Sequence, residues 1–321
     1  MCKSLVSSAL ASAALVAAAA ALVLTSPAHA QPPSRAARAG SEGPRVLIVV
    51  GPSNHPPGTH EVAAGGRLVK HCLEHAENVP GLQVDLVTAW PNDRPGLARY
   101  ATVVFSGDRF PPEEMPDRDR IMADLAAMMD HGCGMVCFHY ATGLGANHVK
   151  PDGDHPLLRW MGGYFATRCP HHQSIARVYP AATIEPAASD HPVLRGWKAF
   201  TVHDEPYIKN YFGPQGLANN VTALATSMLP PEAPQREVVG WAVTRADGGR
   251  GAGIVMPHFY RNWQNADLRM LIINAICWSA GVEIPAEGVR TPQPDLAAFE
   301  PAAIEPPPAK NRPAPATKKK E

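Results

Sequence analysis

The sequence has few cysteines, and none of them is arranged in a CxxC pair. Of the six, Cys2 lies in a segment that we predict to be removed, which leaves Cys72, Cys133, Cys137, Cys169 and Cys277. An odd number of thiols excludes a complete disulfide framework. At least one thiol therefore stays free unless it pairs between chains.

The sequence also lacks an excess of charge of either sign. Lys and Arg total 29, Asp and Glu total 29, and the formal net charge is zero. No general attraction to nucleic acid or to an anionic membrane surface follows from such a balance. With 45% hydrophobic and 18% charged residues, the composition is that of a chain with an enzyme-sized core.

Both ends of the sequence differ in composition from its middle. Residues 1–30 combine Lys3, an apolar run and Ala28-His29-Ala30, which predicts a signal peptide cleaved before Gln31 and an exported, periplasmic or secreted protein. The alternative is a membrane anchor over Leu5 to Leu24. We predict a flexible linker at 31–44 and a Pro-rich, basic, disordered tail at 286–321.

The segment between the two ends, residues 45–285, predicts one α/β domain. RVLIVV at 45–50 is an apolar β-branched run, typical of a strand covered on both faces. A helix at 61–77, strands at 82–87 and 102–106, a helix at 117–131 and a strand at 135–138 follow. This alternation indicates a flavodoxin-like sandwich with a mostly parallel central sheet and helices on both faces.

The second half of the domain is less regular. Residues 222–226, 238–244 and 253–256 are predicted strands, with a turn at Asp247-Gly248-Gly249 joining the last two. Residues 267–280 are apolar almost all round, which indicates a buried helix. In a parallel sheet, function is expected beyond the carboxyl ends of the strands.

Histidines follow two of these strand ends. The loop after the first strand carries His55 and His60, and the fourth strand runs into Cys137-Phe138-His139-Tyr140. A nucleophile elbow would require G-x-C-x-G or G-x-S-x-G here, and neither is present. Cys137 lies within the apolar strand, so we interpret it as a buried structural thiol.

Two further segments carry chemically capable side chains. VHDEPY at 202–207 provides Asp204, Glu205 and Tyr207, and MPHFYRNW at 256–263 provides His258 and Trp263. Carboxylates and imidazoles supply general acid–base groups, and aromatic rings supply platforms for a sugar. In an extended chain Asp204 and Glu205 point to opposite faces.

Taken in order, the histidine loop, GMVCFHYATG, HPLLRWMGGYF, SDHPVLRGW, VHDEPY, GRGAGIVMPHF and NADLRMLIINAICWSAG resemble the trehalose-utilisation (ThuA-like) family. The resemblance implies a class I glutamine amidotransferase-like fold that has lost its nucleophilic cysteine. It also implies action on disaccharides or their keto forms, with His139 in the nucleophile region and Asp204, Glu205, Tyr207 and His258 in one cleft.

Two hypotheses follow. The first is an enzyme that acts on a disaccharide or keto-glycoside by acid–base chemistry, with a divalent metal such as zinc as a candidate cofactor. Its catalytic residues are His139, Glu205 and His258; its substrate contacts are His55, Asp108, Tyr140, Asp204, Tyr207 and Trp263; its metal ligands are His55, His60 and His258. The second is a non-catalytic carbohydrate-binding module on the same fold.

Overall fold

A computed structural model describes residues 43–300, which surround a nine-stranded sheet. The strands are β1 (Arg45–Val50), β2 (Gln83–Val87), β3 (Tyr100–Ser106), β4 (Gly134–Phe138), β5 (Gly143–Gly145), β6 (Phe165–Thr167), β7 (Tyr179–Pro186), β8 (Phe200–Asp204), β9 (Val221–Leu229), β10 (Gln235–Thr244) and β11 (Arg250–Ile254). The helices are α1 (Val62–Glu74), α2 (Pro111–Glu114), α3 (Arg118–Asp130), α4 (Pro156–Met161) and α5 (Ala266–Ser279). β5 and β6 form a separate parallel pair.

The main sheet is mixed, with strand order β2-β1-β3-β4-β11-β10-β9-β7-β8. Every neighbouring pair from β2 to β11 is parallel, and every pair from β11 to β8 is antiparallel. The expectation of a mostly parallel sheet is therefore wrong for the second half. A hairpin reverses the direction of the chain between β10 and β11. Beyond β10, strands β9, β7 and β8 continue the sheet in antiparallel pairs.

Helices cover both faces of the parallel half. A side chain at Gly134 in β4 would meet Ser279 of α5, and one at Gly251 in β11 would meet Trp160 and Met161 of α4. Gly251 is level with Met135, the next residue of β4, and successive residues of a strand face opposite sides. Helices α4 and α5 thus lie on opposite faces, and α1 packs beside α5.

The apolar patterns explain most of these elements. Val46 to Val50 are buried in β1, and α1 buries Leu68, Val69, Cys72 and Leu73 along one face, as its periodicity predicts. Strand β7 was missed because YPAATIEP has a proline near each end and no clean alternation. The five described cysteines are all buried, and they form no disulfide with one another.

The segment after Pro285 differs from its prediction as a disordered tail. Up to residue 300 it packs on the domain: Val289 is 1% exposed, and its N–H donates to Asn274 Oδ1 at 2.9 Å. Composition alone predicted disorder, but these buried contacts order the segment. Residues 1–42, with the predicted signal peptide and most of the predicted linker, and residues 301–321 lie outside the described residues. Within 43–300, no helix has the length and apolar character needed to cross a membrane.

Candidate metal centre and active site

Side chains from five separate segments meet at one end of the sheet. His60 ends the loop after β1, Asp108 follows β3, His139 follows β4, and His258 follows β11. Glu205 follows β8. The carboxyl ends of β1, β3, β4 and β11 lie at the same edge because these strands are parallel.

Three imidazole nitrogens converge at the centre of this group. His60 Nε2 lies 2.7 Å from His139 Nε2 and 2.9 Å from His258 Nδ1, and the latter two nitrogens are 3.1 Å apart. The side chains of His60, His139 and His258 are 1%, 6% and 10% exposed. The nitrogens therefore face one another in a nearly dry site.

The outer nitrogens of two rings fix where their protons are. His60 Nδ1 lies 2.5 Å from Asp108 Oδ1, and His139 Nδ1 lies 3.2 Å from the carbonyl oxygen of Val255. A carbonyl oxygen and an ionised carboxylate can only accept, so each Nδ1 donates. In the neutral rings the Nε2 atoms of His60 and His139 then carry no proton, and their lone pairs are directed at the same point.

Glu205 and Tyr207 complete the centre. Glu205 Oε2 is 3.2 Å from His258 Nδ1 and 4.0 Å from His139 Nε2, and the hydroxyl of Tyr207 is 3.1 Å from His139 Nε2. The structure thus brings Glu205 and His139 into one site, as the sequence analysis expects. Their catalytic roles stay predictions.

Asp204 occupies a different place from the one expected for a substrate ligand. Its side chain is fully buried, and Oδ1 accepts the backbone N–H groups of Glu205 at 2.9 Å, His258 at 2.8 Å and Phe259 at 3.2 Å. A group buried in this way does not reach a bound sugar. It joins the end of β8 to the loop after β11 and so positions Glu205 and His258.

Asp108 links two stacked imidazoles. His55 Nδ1 lies 2.7 Å from Oδ2, His60 Nδ1 contacts Oδ1, and the two rings stack with centroids 3.5 Å apart. The N–H of Asn54 also donates to Oδ2, at 2.7 Å. Asp108 therefore orients both rings, and His55, predicted as a metal ligand, lies at the rim with a 33% exposed side chain.

His139 occupies the left-handed backbone region, with φ 47°. This conformation is uncommon for a non-glycine residue and costs on the order of 1–3 kcal/mol, although histidine adopts it more readily than most. It turns the ring from the end of β4 toward His60 and His258. The strain lies at the position where the resemblance places the lost nucleophile.

Burial dominates the electrostatics of the centre. Burial, with a smaller contribution from the neighbouring imidazoles, lowers the pKa of His258 to about 4 and that of His139 well below its usual value. Burial also raises the pKa of Glu205 to about 7, with the Asp204 carboxylate adding to the effect. Burial opposes ionisation of Asp108, but hydrogen bonds from His60, Asn54 and His55 outweigh it and lower its pKa to about 2.

The remaining predicted residues line the surroundings. Tyr140 is half-buried, with its ring 5.8 Å from that of His60. Tyr207 is 2% exposed and stacks on Phe165. Trp263 is 3% exposed and packs edge-on against Phe138, in a small cavity that His60 and His139 also line. Its role as a sugar platform stays a prediction.

Cys137 points into the core and is 0% exposed, and burial raises the pKa of its thiol well above the usual value. This agrees with a structural thiol. The Val255 carbonyl that accepts from His139 could not be predicted from the sequence, because a backbone oxygen carries no residue signature. The sequence indicates that His139 belongs to the centre only through its position directly after a strand.

The fold and the site define an α/β protein with a histidine-rich centre at the carboxyl end of a mixed sheet. The trehalose-utilisation family model (ThuA) matches residues 45–279, and the chain belongs to this family. No curated protein sequence matches the chain significantly.

Solved structures resemble the domain at low identity. A ThuA-like protein from Bacteroides uniformis shares 17% identity with a TM-score of 0.52, covering 74% of this chain and 91% of that one, which shows a shared fold. A glutamine amidotransferase from Thermotoga maritima shares 12% identity with a TM-score of 0.38, over 74% and 96% of the chains. A carbohydrate deacetylase shares 11% with a TM-score of 0.43, over 74% of this chain and 32% of that one.

Proposed function

We propose that this protein is an exported, metal-dependent enzyme that processes a disaccharide or keto-glycoside on a flavodoxin-like, glutamine amidotransferase-like fold. The observation that carries the proposal is the convergence of His60 Nε2, His139 Nε2 and His258 Nδ1, with the outer nitrogens of two rings already hydrogen-bonded. Metal-binding histidines characteristically donate their second N–H to a carboxylate or carbonyl.

The donor set fits a divalent transition metal. Three imidazoles with an open fourth position are typical of catalytic zinc, and imidazole also suits copper, iron and nickel. At Zn–N distances of about 2.0–2.1 Å, a tetrahedral ion separates its ligand nitrogens by ~3.3 Å. The three nitrogens would therefore move apart by a few tenths of an ångström.

The charges around the centre also favour a cation. Asp108, Asp204 and Glu205 place three carboxyl groups within or beside it. No Lys or Arg of the described residues forms an ion pair with any of the three within 4.0 Å. A bound divalent ion would compensate this buried negative charge, which is otherwise costly.

A metal held by His60, His139 and His258 would polarise a carbonyl or hydroxyl oxygen of the sugar. Glu205 lies at the edge of the three nitrogens, where its carboxylate acts as the general base that removes a proton from the substrate or from water. The Tyr207 hydroxyl, 3.1 Å from His139 Nε2, would donate a hydrogen bond to the oxygen on which charge develops. A covalent thiol mechanism has no support, since every described cysteine is buried.

The choice of a sugar substrate rests on membership of the trehalose-utilisation family and on the half-buried aromatic ring of Tyr140 beside the centre. The test is turnover. Purified protein is incubated with a panel of disaccharides and 3-keto-glycosides, with zinc or with chelator, and products are followed by chromatography. Zinc-dependent consumption of a sugar supports the proposal; retention of sugars without any conversion supports a carbohydrate-binding module.

Export is part of the proposal and rests on Ala28-His29-Ala30 after the apolar run. N-terminal sequencing of protein from the native host should find Gln31 as the first residue. An intact apolar segment in the membrane fraction would contradict export by cleavage.

A further inference from the structure

A small cavity opens beside the metal centre, between the start of α1 and the loop after β11. Its walls include His60 and His139 of the centre, and Tyr140 lies half-buried at its rim. The cavity has a volume of about 20 Å³, which is room for one or two groups of the size of a water molecule. A group bound in the cavity therefore lies directly against two of the imidazoles that are proposed to hold the metal.

The cavity presents one hydrogen-bond donor that has no partner. Trp263 is 3% exposed and lines the cavity, and its Nε1 forms no hydrogen bond with any residue between 43 and 300. Unlike the unpaired Nδ1 atoms of His148 and His171, this nitrogen is not closed off from solvent. The N–H group of a tryptophan in a protein interior usually finds an acceptor. We therefore expect the acceptor to be a group that enters the cavity.

The cavity also presents one acceptor. Ser106 ends β3, is 1% exposed and lines the same cavity. Its hydroxyl donates to the carbonyl oxygen of Val62 at 3.4 Å, so the lone pairs of Oγ stay available. One donor and one acceptor together match a hydroxyl group, which can accept from the first and donate to the second. A carbonyl or carboxylate oxygen can only accept and would leave Ser106 unused.

The other walls are largely apolar. They include Val62, Phe138 and Pro257, together with Gly65, which has no side chain to fill the space. Apolar surfaces of this kind suit a carbon atom and not a second polar group. The cavity therefore matches a substituent of one carbon and one hydroxyl oxygen. In a sugar this substituent is the hydroxymethyl group, which distinguishes a hexopyranose from a pentopyranose.

We propose that Trp263 and Ser106 form a subsite for the hydroxymethyl group of a hexopyranose bound at the metal centre. The hydroxyl oxygen accepts from Trp263 Nε1 and donates to Ser106 Oγ, and the carbon packs against Val62 and Phe138. The inference rests on the proposed function and deepens it, because a single substituent then selects among sugars. Trp263 contacts the sugar through its N–H edge and not through the face of its ring.

Two substitutions separate the hydrogen bond from the space. Trp263→Phe removes the N–H group and keeps an aromatic ring against Phe138. Gly65→Ala adds a methyl group to the cavity wall, and its Cβ would lie 3.5 Å from Trp263 Nε1, which is an ordinary contact that α1 can accept. Gly81→Ala is the control, since a Cβ there meets nothing within 4 Å.

The ligands are methyl α-glucoside, methyl 6-deoxy-α-glucoside and methyl α-xyloside, which carry a hydroxymethyl group, a methyl group and a hydrogen atom at the same position. Each is titrated into zinc-loaded wild type and variants and followed by NMR. Backbone signals give Kd, and the indole N–H signal that is absent from Trp263→Phe reports contact with the subsite. We expect wild type to bind the glucoside about fivefold more tightly than the deoxy sugar and about 20-fold more tightly than the xyloside, as one hydrogen bond and one buried carbon provide. The glucoside should shift the Trp263 indole signal.

The variants should change these ratios in different ways. Trp263→Phe should bring the glucoside and the deoxy sugar to within about twofold of each other, while the xyloside still binds more weakly. Gly65→Ala should bring all three sugars to within about twofold, because the methyl group fills the space. Gly81→Ala should leave every ratio unchanged. The zinc affinity should be the same in all four proteins.

Three results would overturn the subsite. Equal affinity of wild type for the three sugars would show that the cavity holds water only, while the proposed function stands. Ratios that both Trp263→Phe and Gly65→Ala preserve would place the hydroxymethyl group elsewhere. If none of the three sugars binds, the subsite is wrong, and turnover of the disaccharide panel decides the proposed function separately.

Discussion

His60 and His139 present their Nε2 atoms to each other at 2.7 Å, although the hydrogen bonds on the far sides of both rings leave neither nitrogen a proton to share. His258 Nδ1 is close to both and can supply at most one proton. The arrangement is therefore unfavourable without a cation between the rings. The hydrogen bonds to Asp108 and to the Val255 carbonyl hold the two rings in this arrangement.

Asp108→Asn should weaken metal binding about 10- to 100-fold, because the amide replaces one of the two oxygens that accept N–H groups from His55 and His60. A titration with a competing zinc chelator measures the effect. The control is Asp119→Asn, whose side chain is 93% exposed. Equal zinc affinity in Asp108→Asn and wild type would show that Asp108 does not orient His60.

Glu205→Gln should lower turnover by ~10²- to 10⁴-fold with little change in thermal stability, because it removes the proposed general base and keeps the side-chain shape. The measurement is kcat on the substrate found by the panel, together with a melting curve. Glu232→Gln, at an exposed ion pair, serves as the control. Unfolding of Glu205→Gln, or full activity in the folded variant, would exclude Glu205 as the base.

Cys137→Ser should retain activity. The thiol is buried in β4, so the cost should be about 1–3 kcal/mol of unfolding free energy for burying a hydroxyl. Urea unfolding and turnover are measured on the same preparation. A folded Cys137→Ser protein that binds sugar but has lost all turnover would restore the thiol mechanism.

His191 should make the stability of the protein depend on pH. Burial, with the positive charge of Arg250, lowers its pKa to about 4, against about 6.5 in the unfolded chain. Between these values the unfolded chain binds a proton that the folded protein does not, so stability falls as the pH decreases from 6.5 to 4. His191→Asn keeps an acceptor for the Val193 N–H and should flatten this dependence. The test is urea unfolding of wild type and His191→Asn at pH 7.5 and pH 5 with chelator present. An equal loss of unfolding free energy in both proteins between these pH values would contradict the role of His191.

The first half of the fold could be predicted because its signals are local. RVLIVV gives β1 to the residue, and the helical periodicity gives α1 and α3 within a few residues. In the antiparallel half only the hairpin of β10 and β11 could be predicted, from the turn at Asp247-Gly248-Gly249. The places of β9, β7 and β8 could not be predicted, since they depend on which strand each one pairs with. Strand β8 lies at the far edge of the sheet, whereas the sequence indicates only an extended segment there.

The site was predictable in its residue types but not in its geometry. Strand ends indicated His60, His139, Glu205 and His258, and all four lie within one group of candidate ligands. The sequence analysis expects a metal on His55, which forms a second group of candidate ligands with His60 and Asp108, and not on His139. The difference depends on ring orientation: His55 directs Nδ1 to Asp108, whereas the left-handed backbone of His139 directs its Nε2 inward. Neither feature can be read from residue identity.

His60, His139 and His258 are proposed to hold a divalent metal. The most direct test of this proposal is anomalous diffraction at the zinc edge from crystals of zinc-loaded protein, beside the same measurement on His139→Asn, which tolerates the left-handed backbone. We expect one ion per chain at about 2.0–2.1 Å from His60 Nε2, His139 Nε2 and His258 Nδ1. In the variant this ion should be lost or strongly depleted. No ion at this position, or one that His139→Asn leaves unchanged, would contradict the proposal.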